Sequence, residues 1–366
     1  MRRPAIVGLL IAVMTWSPIA VWAQPPGANA AAATAAGAKL DVGYVTPGAG
    51  AAIVVHPRRV LTAPGMEMLP VEVITAAGIK ELSIDPLQIE QLLLVAEMPS
   101  EPMSPPGAAV VVRLATPPAQ TEVLPMLWKR TAEAKLDGKP YRQGQGPMDP
   151  SIFWADERTL IVGLDSAVRA VVANHASPKA GRMAQILSRV AEPPDAMAVV
   201  LVEPLRPMVV PLLSGLPVPP PLEGAKKIPE LLNTIGIKVN LTGDQAMSLN
   251  LRANDAAAAE ELEKIFDQLL SQAQQMAVAQ AAKQETSSDP GEQAGAKYAK
   301  RMSQRLLKAL RPVRNGAALT LATQGQGSMV SMGIVASLLL PAMQSAREAA
   351  RRAQLRPGPP PAVPVR

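Results

Sequence analysis

The sequence predicts an α+β fold: two tandem (duplicated) β-α-β-β-α-β-β-α units with mainly antiparallel sheets and helices on one face. The first observation behind this is the stretch Ala246 to Ala282. Ala246–Ala253 alternates apolar and polar residues, as a half-buried strand does, and Asn254-Asp255 turns the chain into a long helix. Asp255 is placed to accept the first free backbone N–H groups, and Glu260 and Glu261 lie near the positive end of the helix dipole. Leu262, Ile265, Phe266, Leu269, Leu270, Ala273 and Met276 form one apolar stripe, which needs a sheet to lie on. The second observation is an echo at Ala108–Pro118. Aligning Arg113 with Arg252 brings Thr116 onto Asp255, Glu122 onto Glu261, Val123 onto Leu262, Met126 onto Ile265 and Leu127 onto Phe266. Pro117 then falls at the first helical position, where a missing N–H costs nothing. The third is agreement in the flanks. Ala51–Arg59 and Ala196–Arg206 both read as an apolar strand followed by Pro-x-Arg, and Thr159–Gly163 and Ala318–Ala322 are strands that each precede a helix. A period this long describes duplication rather than a solenoid.

In chain order, Met1–Ala23 has the pattern of a secretory signal: Arg2-Arg3, an apolar run from Ala5 to Trp16, and Val21-Trp22-Ala23 as a cleavage site. Residues 24–43 form an Ala/Gly/Pro-rich linker. The first unit covers 44–191. It has a strand at Ala51–Val55, helix from Val71, a strand at Ile89–Glu97, the Ala108 strand, and a helix to Thr131. A meander follows, with strands at Lys135–Arg142, Ser151–Trp154 and Arg158–Gly163, and Asp165 caps a helix to Asn174. Pro193-Pro194 marks the boundary. The second unit covers 195–354: the Ala196 strand, a Pro-rich segment, a helix at Ile228–Ile235, a strand at Gly236–Leu241 and the opening stretch. It continues with a helix at Lys297–Leu310, a tight Asn315-Gly316 turn, the Ala318 strand and a last helix from Met329. Residues 355–366 are a polyproline-like tail.

Composition narrows the function. With 36 Lys+Arg against 30 Asp+Glu the net charge is +6, dispersed rather than gathered into the basic, aromatic-bearing stripe that nucleic acid requires. The absence of Cys excludes disulfides, thiolate metal sites, a Cys nucleophile and a lipoprotein-type anchor. Aromatics are only 2%, so the core must come from Ala, Val, Leu and Met. Of the two histidines, His56 ends a strand before Pro57 without a companion ligand or nucleophile, and reads as structural; His175 reads as a solvated cap residue at a helix C-terminus. Asp156-Glu157 reads as a turn, because adjacent strand residues point to opposite faces and do not make a catalytic acid pair. Glu260, Glu261 and Glu263 form a solvated helix face. Gly144-Gln-Gly146 and Gly325-Gln-Gly327 lack the Lys-Ser/Thr of a phosphate cradle. Asn240-Leu-Thr242 is a sequon inside a predicted strand. The duplicated Pro57-x-Arg59 and Pro204-x-Arg206 are the positions of most interest, with strand termination and carbonyl capping as their ordinary explanation. No cofactor and no metal site is expected.

Near the C-terminus, Leu338-Leu-Leu-Pro341-Ala342-Met-Gln344-Ser-Ala346-Arg347-Glu348-Ala-Ala-Arg351-Arg352 resembles the LLLPA-x-Q-x-AREAARR segment of the planctomycete DUF1559 family, exported proteins that begin with a pilin-like helix. Here the pilin methylation and cleavage signal is replaced by Gly327-Ser-Met-Val-Ser-Met-Gly333, and no globular body follows. The resemblance therefore implies an exported bacterial protein with an N-terminal α/β region, not pilus assembly. The apolar run, residues 329–343, is shorter than the ~20 residues that cross a bilayer. The duplication predicts that it buries on the second unit's sheet. The alternative is an interfacial helix with Arg347, Arg351, Arg352 and Arg356 on lipid phosphates or a partner. The resulting expectation is a non-enzymatic, periplasmic or extracellular protein acting as a structural or interaction module of the cell envelope, its partner an envelope protein or a membrane surface. A membrane-peripheral protein and a hydrolase with an unrecognised site are the alternatives.

Overall fold

A computed structural model describes residues 40–324, apart from 67–68, 99–106, 119–122, 147, 191, 216–219, 242–244, 287–288, 291–292, 295–296, 298–299 and 302–309. The signal, most of the linker, the last helix with Arg347, Arg351, Arg352 and Arg356, and the tail lie outside these residues, as does most of Lys297–Leu310.

The fold is α+β, built on one antiparallel sheet. The first half contributes β1 (Ala49–Val55), α1 (Pro57–Leu61), α2 (Val71–Leu82), β2 (Ile89–Glu97), β3 (Ala108–Leu114), α3 (Pro125–Trp128), β4 (Thr131–Leu136), β5 (Lys139–Gly144), β6 (Pro150–Trp154), β7 (Thr159–Leu164), α4 (Asp165–Ala176) and α5 (Arg182–Ser188). The second contributes β8 (Ala196–Leu201), α6 (Arg206–Ser214), α7 (Ile228–Leu231), β9 (Leu232–Val239), β10 (Gln245–Ala253), α8 (Ala256–Glu285), β11 (Val313–Asn315) and β12 (Ala318–Gln324). The strand order is β11-β12-β10-β9-β8-β1-β2-β3-β7-β6-β5-β4, so β1 and β8 pair at the centre and join the halves.

Residues directly opposite in an antiparallel ladder share a face, which assigns the two sides. On one side run Met197, Val54, Leu93, Val111, Ile161 and Phe153, covered by α4 and α5 in the largest core cluster. On the other, Val112, Leu160 and Ile152 pack with Leu82 of α2 and Leu127 of α3, and Leu251 and Leu319 pack with Leu262 of α8. Helices therefore cover both sides, which corrects the expectation of one. The cause is visible in β3 and β7: Val110–Val112 and Leu160–Val162 are apolar at consecutive positions, the pattern of a strand buried on both faces.

Other departures have local causes. The helix expected to run to Thr131 is the single turn α3, entered through Leu124 at φ 57 and started by Pro125, which has no N–H to continue a helix. Thr116 donates to the side chain of Gln88 rather than capping, whereas Asp255 does cap α8, accepting from Ala258 N at 2.8 Å. Lys135–Arg142 is a hairpin rather than one strand: Asp137 (φ 50) and Gly138 (φ 77) make the left-handed two-residue turn that Asp-Gly favours. Ile228–Ile235 leaves helical form after Leu231, because Leu232 and Thr234 bury alternately as a strand. Asp165 is the first residue of α4 rather than its cap. Its carboxylate instead accepts from the Tyr141 hydroxyl and from Arg169 Nε at 2.9 Å.

Candidate functional site

The site begins where the apolar face covered by α4 and α5 ends. One residue pair beyond Val54, Leu93, Val111 and Ile161, the same face carries a polar row: Gln91 stands opposite Arg113, and Arg113 opposite Thr159. His56, just past β1, joins through Gln91 at 3.1 Å. Three elements close the row into a cleft. The 3-10 turn Val42–Tyr44 is capped by Asp41, which accepts from Gly43 N at 2.9 Å. Asn174 of α4 holds that turn by donating to the carbonyls of Gly43 (2.8 Å) and Val45 (3.1 Å). His175 follows and stacks on Tyr44, ring centroids 3.9 Å apart and 1° from parallel, with Nδ1 3.8 Å from Asp41 Oδ2. The β6–β7 turn supplies Asp156 and Arg158. The cleft encloses about 270 Å³ and is lined chiefly by Tyr44, Gln91, Arg113, Asp156, Arg158 and His175.

Three titratable groups at and around the row, His56, Tyr44 and Asp156, are each held in one state. His56 is 3% exposed. Burial, aided by the Arg59 charge, lowers its pKa, and the hydrogen bond to Pro194 only partly opposes this. The neutral ring then donates from Nδ1 to the Pro194 carbonyl at 2.9 Å and accepts at Nε2 from the Gln91 amide. Burial, with Asp41 and Asp156 nearby, pushes the Tyr44 phenol up to about 12, so it remains protonated. Burial works to raise the Asp156 carboxyl as well, but hydrogen bonds from the Arg158 and Thr159 amides and from the Thr159 hydroxyl outweigh it and hold the pKa below the usual range. Asp156 accepts from Arg158 N at 2.8 Å, which is the turn expected at Asp156-Glu157.

The two guanidiniums are the least committed groups. Arg113 reaches Glu90 only at 3.6 Å, and Arg158 reaches the Ala115 carbonyl only at 3.5 Å. An ionised Asp156 supplies no proton at neutral pH, and the proton on His56 is engaged by Pro194. Arg113 and Arg158 are the groups in the cleft that can hold an anionic group, against the opposing charges of Asp41 and Asp156 on its wall. Among the described residues no cluster of three or more His, Cys, Asp or Glu is arranged to hold a metal.

Of the positions of interest in sequence, Arg59 donates to the Pro193 carbonyl at 2.8 Å and pairs with Asp195 at 2.8 Å. Arg206 donates to the carbonyls of Pro229 (3.0 Å) and Leu232 (2.7 Å) and to Asn254 (2.6 Å). Both are carbonyl clamps outside the cleft. Glu260, Glu261 and Glu263 pair on the surface with Lys264, Lys227 and Arg314. Of the residues in and beside the cleft, the sequence singles out only His56, His175 and Asp156, and each in a structural or turn role. The available signal was Gln91 and Arg113, polar residues interrupting otherwise apolar strands.

No protein-family model matches the chain, and no curated protein matches it. Among solved structures, crystal form III of TP0453 is similar at 10% identity with a TM-score of 0.41, over 81% of this chain and 98% of that one. Crystal form I of TP0453 is similar at 11% identity with a TM-score of 0.37, over 81% and 97%.

Proposed function

We propose that the protein is a non-catalytic, exported module of the cell envelope that binds an acidic segment of a partner protein in the cleft. The observation that carries this reading is the pair Arg113 and Arg158, weakly engaged and facing a cleft whose other ionisable groups are already committed. Export rests on the N-terminal signal pattern, and the envelope setting on the DUF1559-like segment at 338–352. A hydrolase is the weaker reading, because Asp156 is held ionised and so offers no general acid. The scaffold is read as a duplication: β1-β2-β3-β7 and β8-β9-β10-β12 run outward in the same order from the central β1–β8 pair, which supports two copies of one unit.

The test is a fluorescence titration with a glutamate-rich peptide. Arg113→Ala with Arg158→Ala is expected to weaken binding about tenfold or more, since a hydrogen bond to a charged group contributes roughly 1.5–3 kcal/mol net. Binding is also expected to fall as salt rises. Unchanged affinity in the double variant would reject the cleft as the binding site. Ester or glycoside turnover abolished by Asp156→Asn would establish the hydrolase instead.

A further inference from the structure

Among the described residues β4 is the last strand at one edge of the sheet. The hairpin sets the direction of its backbone groups. Asp137-Gly138 is a two-residue turn, so Leu136 and Lys139 exchange hydrogen bonds across it, and the alternation continues through Ala134 with Tyr141 and Ala132 with Gln143. Two contacts agree with this phase. Gln145 N donates to the Arg130 carbonyl at 3.0 Å, and Pro140, which has no N–H, stands opposite Lys135. The backbone N–H and C=O groups of Thr131, Glu133 and Lys135 therefore point away from β5, toward the outer side of the edge. Solvent reaches that side: Ala132, Glu133 and Lys135 are exposed, and the Glu133 side chain is 89% exposed although it lies 3.5 Å from Arg142. Such an edge is a template for another strand, and charge decides which strand it admits.

We propose that this edge pairs with β4 of a second copy of the chain, with Ala134 opposite itself. Charge complementarity along the strand selects that occupant and that register. A two-fold axis sets two identical edges antiparallel, and only residues whose backbones point outward can exchange bonds. Glu133 opposite Glu133, or Lys135 opposite Lys135, brings like charges face to face, which destabilises the pair. Glu133 opposite Thr131 brings Lys135 level with Lys129. Centring on Ala134 instead places Glu133 of each copy opposite Lys135 of the other, so an ion pair forms on either side of the axis and each pair exchanges its backbone hydrogen bonds. The alternate residues match in the same register. Ala134 and Leu136 lie on the sheet side covered by α4 and α5, packed against the largest core cluster. Across the axis Ala134 meets Ala134 and Leu136 meets Ala132, so that apolar face continues over the seam. A six-residue strand makes a small contact, which places the pairing with weak, concentration-dependent association rather than obligate dimers.

The chain has no Cys, so one introduced thiol per chain reports without background. Under mild oxidation the full chain with Ala134→Cys is expected to form disulfide-linked dimers at least fivefold faster than the full chain with Ala132→Cys. In the selected register the two copies of residue 134 lie about 4.5 Å apart at Cα, within disulfide reach, whereas the two copies of residue 132 are more than about 13 Å apart. Charge reversal tests the same register at exposed positions, and it decides the matter if Ala134→Cys melts early. Glu133→Lys alone and Lys135→Glu alone each set like charges opposite, and each should lower the dimer fraction in sedimentation velocity at least fivefold without changing the melting temperature. Mixed one to one, the two variants should recover the dimer, since each carries the charges that the other lacks. Equal disulfide rates at 132 and 134, or a chain that stays monomeric at its highest soluble concentration, overturn the proposal. So does a dimer indifferent to both charge reversals, which would assign the contact to another surface.

Discussion

Asp195→Ala is expected to lower the unfolding free energy by about 3 kcal/mol, the lower end of the range for removing one member of a buried ion pair. Asp195 is 2% exposed and stands at the junction of the two halves. It pairs with Arg59 at 2.8 Å and accepts from Leu241 N at 2.6 Å, and its own carbonyl accepts from His56 N at 2.8 Å. Alanine leaves the Leu241 amide without its acceptor and Arg59 without its counter-charge. Arg59 is partly hydrated, with 37% of its side chain exposed, which places the loss at the lower end. Urea unfolding of Asp195→Ala, Arg59→Ala and the double variant separates the pair from its surroundings. The coupling energy should be about 1–2 kcal/mol. A loss under 0.5 kcal/mol in Asp195→Ala would mean that the junction is held by the β1–β8 ladder alone.

His56→Leu is the second large effect, at about 2 kcal/mol, because it leaves the Pro194 carbonyl and the Gln91 amide buried with lost partners. The same residue makes stability depend on pH, with a definite sign. Its folded pKa lies below the unfolded value of 6.5, so the unfolded chain takes up a proton first as pH falls. Stability contributed by neutral His56 is thus complete above pH 6.5 and is lost as pH falls from there toward the folded pKa, with a slope of at most ~1.4 kcal/mol per pH unit. Asp156 and Asp165, whose folded pKa values are also lowered, act in a separate window, losing their contribution below their ordinary value of 3.8. Subtracting the pH profile of His56→Gln from that of the native chain between pH 7 and 5 isolates the histidine. A difference that does not vary with pH would show that His56 titrates normally in the folded protein.

The strands are legible because short apolar runs, and alternation in Ala246–Ala253, are local properties. Ile89–Glu97 and the α2 start at Val71 follow directly from the order of apolar residues, and the turn at Asn315-Gly316 follows from its residue types. The failures share a different origin. α3 and α8 align in sequence, yet Pro125 breaks one while nothing interrupts the other, so the likeness of side chains did not carry over to the backbone. Asp137-Gly138 is a turn signal that lies inside Lys135–Arg142, a stretch that otherwise reads as one polar strand. The cleft was illegible for a more general reason. Gln91, Arg113 and Thr159 are neighbours only across a three-strand register, and Tyr44 and His175 meet only because α4 returns over the sheet. No spacing within one segment encodes those meetings, although a glutamine and an arginine inside apolar strands did mark where the buried face ends.

The most direct test of the cleft as an anion receptor is an expected gain, which damage to the fold does not produce. Asp41→Asn keeps an oxygen to accept from Gly43 N while removing a negative charge from the cleft wall. Across a partly hydrated cleft one unit charge contributes about 0.5–1 kcal/mol, so affinity for the glutamate-rich peptide should rise about two- to fivefold. The gain should disappear when Arg113→Ala and Arg158→Ala are added. Unchanged or weaker binding in Asp41→Asn, with the melting temperature preserved, would contradict the account.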